Sequence, residues 1–129
     1  MILDSSALVA ILFDEPDSII YSQAIANADI CRLSAATFLE TAMVVEGQTK
    51  AGGGSRLDIL LRETGIIIEP FTVEQAHIAR QAFLDYGKGR HAAGLNLGDC
   101  FAYALSKTTR EPLLFKGADF AKTDVVAAL

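Results

Sequence analysis

Short apolar runs alternate along this chain with longer stretches of helical periodicity. Met1-Ile2-Leu3-Asp4 reads as a short strand over residues 1–4, and a helix follows over Ser5–Phe13 with Asp4, Ser5 or Ser6 as its N-cap. Glu15-Pro16-Asp17 breaks the chain, and a second helix is predicted over Ser18–Asn27. Ile30–Leu33 is another short strand, after which Ser34 caps a helix predicted from Ala35 to about Lys50. Ala51-Gly52-Gly53-Gly54-Ser55 reads as a flexible turn, and Arg56–Thr64 as a helix stopped by Gly65. The β-branched run Ile66-Ile67-Ile68-Glu69 has the character of a buried strand. Val73–Tyr86 is amphipathic, with Val73, Ala76, Ala79, Ala82, Phe83 and Tyr86 on or near one face. A glycine-bearing basic loop, Gly87–Gly94, leads to a helix over about Leu97–Lys107; Pro112 opens a strand, Leu113–Phe115, and Val125-Val126 reads as a last edge strand.

Strands alternating with helices predict an α/β domain with a mostly parallel sheet, whose sites lie at the carboxyl ends of the strands. The chain has 129 residues, the length of a single domain spanning 1–129. A domain of this size buries enough surface to fold without disulfides or a structural metal. With 51% hydrophobic and 21% charged residues and 3 prolines, disorder is excluded. Cys31 and Cys100 lie far apart, form no C-x-x-C pair and give no zinc pattern, which fits a reducing cytosol. The N-terminus lacks a basic n-region and carries an acid at Asp4, so it does not read as a signal peptide. No apolar stretch approaches the ~18 residues of a membrane span. The expected location is therefore the cytoplasm.

The net charge of −5, from 16 acids against 11 bases, runs against nucleic-acid binding. That objection weakens if several acids sit together and bind divalent cations, because the metals then reverse the local field. Asp4 stands where the first strand gives way to a helix, a place where it is either an N-cap or a site residue; Ser5 and Ser6 can cap the same helix. Glu40 has Ala36, Met43 and Val44 as its helical neighbours, with no basic residue within a turn. A charged carboxylate buried among them costs several kcal/mol unless it is paired, by a cation or by a distant arginine. Asp99 lies in the first turn of an almost wholly apolar helix, either interacting with the helix dipole in a box with Asn96 or standing at the mouth of a site. Asp119 and Asp124 follow the last strand and, taken singly, are loop acids. Asp4 and Asp119 follow strand ends, and Glu40 and Asp99 sit on helices after short connections. In a parallel sheet these acids can converge on one edge. Clustered carboxylates repel one another, hard divalent ions relieve the repulsion, and such a site suits phosphodiester hydrolysis.

Four ordered segments carry a family resemblance: Met1-Ile2-Leu3-Asp4-Ser5-Ser6-Ala7-Leu8, the mid-chain Glu40, Leu97-Gly98-Asp99-Cys100-Phe101-Ala102-Tyr103-Ala104, and Leu113-Leu114-Phe115-Lys116-Gly117-Ala118-Asp119-Phe120. Together they resemble the PIN-domain ribonuclease toxins of type II toxin–antitoxin systems, the VapC family, over essentially the whole chain. The resemblance implies a three-layer α/β/α sandwich with a short parallel sheet, usually homodimeric, cleaving RNA with Mg²⁺ or Mn²⁺. It also implies a small VapB-type antitoxin that occludes the site. By position Asp4, Glu40 and Asp99 become the core acids, with Asp4 and Asp99 as direct metal ligands and Ser6 supporting them by hydrogen bonding. Many members carry aspartate three residues before the phenylalanine of the last motif. Gly117 stands there in this chain, leaving Asp119 or Asp124 to take its place.

Lys88, Arg90 and His91, just before Asp99, are candidates to hold RNA phosphates, against the alternative of a merely solvated loop. Gly52-Gly53-Gly54 is no phosphate loop, since no Lys-Ser/Thr follows, and His77 lies on a mixed helix face. Two rivals remain. One is a receiver-like signalling module built on Asp4, Glu69 and Lys116, although it lacks paired acids after the first strand. The other is a PIN-like domain that binds a partner without catalysis, which the glycine at 117 keeps open. An aspartyl phosphatase would want an acid where Ser6 stands.

Overall fold

The computed structural model describes residues 1–48 and 52–129. Its strands are β1 (Ile2–Leu3), β2 (Arg32–Ser34), β3 (Ile67–Glu69) and β4 (Leu113–Leu114). Its helices are α1 (Ser5–Leu12), α2 (Ser18–Asn27), α3 (Ala35–Gln48), α4 (Gly53–Thr64), α5 (Val73–Tyr86) and α6 (Leu97–Thr109), with a 3₁₀ turn at Phe120–Lys122. The strands form one parallel sheet in the order β3-β2-β1-β4. Ile2 pairs with both Arg32 and Leu113, so β1 is central.

Successive strand residues face opposite sides of a sheet, and that alternation builds the three layers. Leu3, Leu33 and Leu114 point to one core, with Leu8 of α1, Ile25 of α2, Val45 of α3 and Leu57 of α4. Ile2 and Leu113 point to the other, with Ala79 and Ala82 of α5 and Cys100, Tyr103 and Leu105 of α6. The architecture is thus the expected α/β/α sandwich. At the strand-start end the Met1 amino group and Arg32 both pair with Glu111, at 2.8 and 2.9 Å, and Arg32 also reaches Glu69 at 2.7 Å.

Several predicted boundaries shift. The turn expected at 51–55 is largely helix: Gly52 takes a left-handed φ of 80° and α4 begins at Gly53, which is buried. This first turn lies against α3, where a Cβ on Gly54 would fall on the exposed Glu46 carboxylate. Ala51, and the predicted helix end at Thr49 and Lys50, lie outside the described residues. The run expected to be a buried strand is an edge strand instead, with Ile67 and Ile68 each 43% exposed, because β3 has a neighbour on one side only. Val125-Val126 forms no strand; a single bridge joins Leu113 to Ala127, with Leu113 N–H donating to Val126 O at 2.8 Å.

Candidate active site

Each core acid is placed by a local device that the sequence encodes. Asp4 leaves β1 in extended conformation and caps α1, its Oδ2 accepting from Ser6 N–H at 3.0 Å and from Ser6 Oγ at 2.6 Å. The Ser6 hydroxyl in turn accepts from Lys116 N–H at 3.0 Å, which ties the β4 exit to the same acid. Asp99 and Asn96 form a capping box at the start of α6. Asp99 N–H donates to Asn96 Oδ1 at 2.9 Å, and Asp99 Oδ2 accepts from Asn96 N–H at 3.0 Å. Both acids are caps, therefore, and the cap geometry is what aims them.

The site is electrostatically strained. Asp4 is 3% exposed, and burial pushes its pKa up to about 7. The two Ser6 hydrogen bonds pull it back, while the charges of Asp99 and Glu40 raise it further. Asp99 also lies above the usual carboxylate range, first through burial and then through the charges of Asp119 and Glu40, against the lowering effect of the Asn96 N–H. Asp4, Glu40, Asp99 and Asp119 thus occupy one electrostatic neighbourhood at the carboxyl end of the sheet. Among the described residues no lysine or arginine pairs with any of the four.

Two oxygens in this neighbourhood have no donor: Asp4 Oδ1 and Glu40 Oε1 are both buried without a hydrogen-bond partner. A buried carboxylate oxygen left bare is costly, and a hard cation is the partner that an all-oxygen donor set suits. The residues present fit Mg²⁺ or Mn²⁺ on that ground. Among the described residues no three acidic, histidine or cysteine side chains are gathered at metal-ligand spacing, so the acids share a field without forming a closed cage.

Other sequence candidates separate. Asp124, read as a possible replacement ligand, does not join the group. It accepts from Tyr103 OH at 2.7 Å and from Lys107 Nζ at 2.8 Å, so a hydroxyl and a lysine already satisfy it. Asp119 is exposed, at the head of the 3₁₀ turn, and near enough to Asp99 to act on it. Lys88, Arg90 and His91 are exposed on the loop entering α6. Arg90 stacks 5.7 Å from the Phe83 ring centroid, and His91 Nδ1 accepts from Ala93 N–H at 3.0 Å. The receiver-like arrangement is absent: the Lys116 ammonium is bound to Glu15 and to Asp17, the latter at 2.9 Å, and Glu69 is bound to Arg32. His77 is exposed on α5.

Sequence reading missed two participants. Lys116 enters through its backbone N–H, which no side-chain motif signals. Gly98 lies against the Glu40 carboxylate, and its only local sign is a glycine in the first turn of a helix.

A family model for the PIN domain matches residues 1–126. The chain is 50% identical over 130 residues to the ribonuclease VapC28 of Mycobacterium tuberculosis, covering 100% of this chain and 98% of that protein. Among solved structures, it is similar to VapC20 of Mycobacterium tuberculosis, described as a sarcin–ricin loop cleaving toxin. That match has a TM-score of 0.79 at 13% identity, covering 97% of this chain and 95% of that one. It is also similar to a toxin–antitoxin complex from Klebsiella pneumoniae, with a TM-score of 0.73 at 20% identity, covering 99% and 97%. The two structural matches speak for the fold; the full-length identity speaks for the lineage. On the family model and that identity together, the chain belongs to the PIN domain family and, within it, to the VapC ribonucleases.

Proposed function

We propose that residues 1–129 form one nuclease domain, an endoribonuclease that hydrolyses RNA phosphodiester bonds with Mg²⁺ or Mn²⁺ as the toxin of a type II toxin–antitoxin pair. The observation that carries the metal dependence is the pair of buried, donorless oxygens, Asp4 Oδ1 and Glu40 Oε1, in a neighbourhood holding Asp99 and Asp119 as well.

Asp4 and Asp99 would hold the cation, with Asp119 flanking them. When bound, the cation supplies Lewis-acid chemistry, acidifying a water and offsetting charge on the phosphodiester. Ser6 keeps Asp4 aimed by donating to Oδ2, which leaves Oδ1 buried and free to take a cation. The Asn96 box does the same for Asp99. Glu40, whose Oε1 is buried without a donor and whose charge acts on both Asp4 and Asp99, would orient a water and take its proton. Lys88, Arg90 and His91, exposed on the loop that feeds α6, would hold the RNA phosphates. Neutralising the acids locally answers the objection raised by the overall charge of −5.

Relatives named as ribonucleases and a structural neighbour described as a toxin–antitoxin complex support the RNA substrate and a small VapB-type antitoxin partner. The homodimer would form through the apolar face where Leu39 and Met43 of α3 meet Leu97 of α6, exposed by 58%, 66% and 73%. Contiguous exposed apolar surface of this kind marks an interface. Among the described residues no helix is long and apolar enough to cross a membrane, in keeping with a cytoplasmic enzyme.

The test is cleavage of a total-RNA substrate by purified protein. EDTA is expected to stop cleavage, and Mg²⁺ or Mn²⁺ to restore it without Zn²⁺. Asp99→Asn is expected to abolish it while the protein stays folded by circular dichroism. Full activity in chelator, or in Asp99→Asn, would refute the proposal.

A further inference from the structure

Gly98 is a helical residue whose identity local structure does not explain. Glycine weakens a helix relative to alanine, and Gly98 is not among the glycines with positive φ, so its backbone would accept an L side chain. What it lacks is room. It is buried, and a Cβ built on it would overlap Oε2 and Cδ of Glu40 and stand 2.7 Å from Oε1. The three atoms nearest that added carbon all belong to this one carboxyl group, so a methyl would collide with Glu40 before anything else.

We infer that Gly98 is the positioning residue for Glu40: its missing side chain is the seat that keeps the Glu40 carboxylate beside Asp99 and turned into the site. The inference rests on the cation-dependent reading of that site. The groove beside Glu40 is lined by the apolar side chains of Ala36, Leu39, Met43, Val44, Leu97 and Phe101 and by Asn96, whose Oδ1 already accepts from Asp99 N–H in the capping box. A carboxylate pushed off Gly98 therefore leaves its place beside Asp99 and takes Oε1 with it. Gly54 makes the contrast: a Cβ there would overlap only Oε1 of Glu46, with Cδ standing off at 3.1 Å, and Glu46 is exposed and can move at little cost, whereas Glu40 Oε1 is buried.

Gly98→Ala separates stability from function. Metal-free, the variant is expected to melt at or above the wild-type temperature, because alanine favours the helix and only a flexible carboxylate has to shift. Its affinity for Mn²⁺, measured by calorimetry, is expected to fall at least tenfold, with RNA cleavage falling in step. Glu40 is not itself a ligand, but groups hydrogen-bonded just outside the ligands govern affinity on that scale. Glu40→Asp supplies the control, since it withdraws the carboxylate by one methylene. In that background, adding Gly98→Ala should change Mn²⁺ affinity less than twofold, because the clash has gone. Equal losses in both backgrounds, Mn²⁺ affinity within twofold of wild type for Gly98→Ala, or a metal-free melting temperature well below wild type would each overturn the inference. Wild-type protein that binds no Mn²⁺ would instead bring down the reading of the site, and the inference with it.

Discussion

Asp4→Asn is expected to make the metal-free protein more stable and catalytically dead. In the folded chain the Asp4 carboxyl is raised from 3.8 to about 7, so holding it ionised above pH 7 costs roughly 3 × 1.36, or about 4 kcal/mol. The sign follows from proton binding. A raised acid binds its proton more tightly when folded, so its contribution is fully favourable below pH 3.8 and is lost progressively as pH rises to about 7. Asparagine never carries that charge. Its carbonyl can keep both Ser6 bonds, but its NH₂ takes the place of the donorless Oδ1 without gaining an acceptor, a loss of about 1–3 kcal/mol. The net gain at pH 8 is therefore about 1–3 kcal/mol, or roughly 4–10 °C in melting temperature for a domain of this length. Thermal melts of metal-free wild type and variant between pH 4.5 and 8 provide the assay. From pH 8 to pH 4.5 the gap should move by about 3 kcal/mol against the variant, closing or reversing sign at the acid end. Added Mn²⁺ should raise the melting temperature of wild type alone, by mass action on a site the variant lacks. A variant less stable than wild type at pH 8, or a gap independent of pH, would refute the electrostatic reasoning.

Three further outcomes are expected. Ser6→Ala removes the 2.6 Å donor from Asp4 Oδ2 and the anchor for Lys116 N–H; it should lower metal-free stability at pH 8 by about 1–3 kcal/mol in denaturant titrations, and less at pH 4.5. Asp124→Asn removes only the charge that holds Lys107, its amide oxygen still able to accept from Tyr103 OH, so initial rates of RNA cleavage should match wild type. Leu33→Ala empties a fully buried position of the central sheet and should cost about 2–5 kcal/mol in equilibrium unfolding.

The element order and the local aiming of the acids were legible in the sequence for a common reason: both depend on neighbours a few positions away. Helical periodicity, the Asp4-Ser5-Ser6 cap, the Asn96–Asp99 box and the stop at Gly65 are contacts within about one turn, and the structure keeps them. Boundaries failed where a distant surface decided the outcome. α4 starts at Gly53 because α3 lies beside it, and Ile67 and Ile68 are half exposed because β3 falls at an edge.

The chain by itself determined that it would fold as alternating strands and helices with acids at the strand ends and helix starts, since hydrophobic period and capping chemistry are local. Only tertiary structure decided which of those acids share a field. The order β3-β2-β1-β4 puts Asp4 on the central strand's exit, and packing of α3 and α6 brings Glu40 and Asp99 toward it. The same packing sends Asp124 away to Lys107. Coulomb interaction depends on distance through space, and strand pairing across more than a hundred residues sets that distance where no local pattern can.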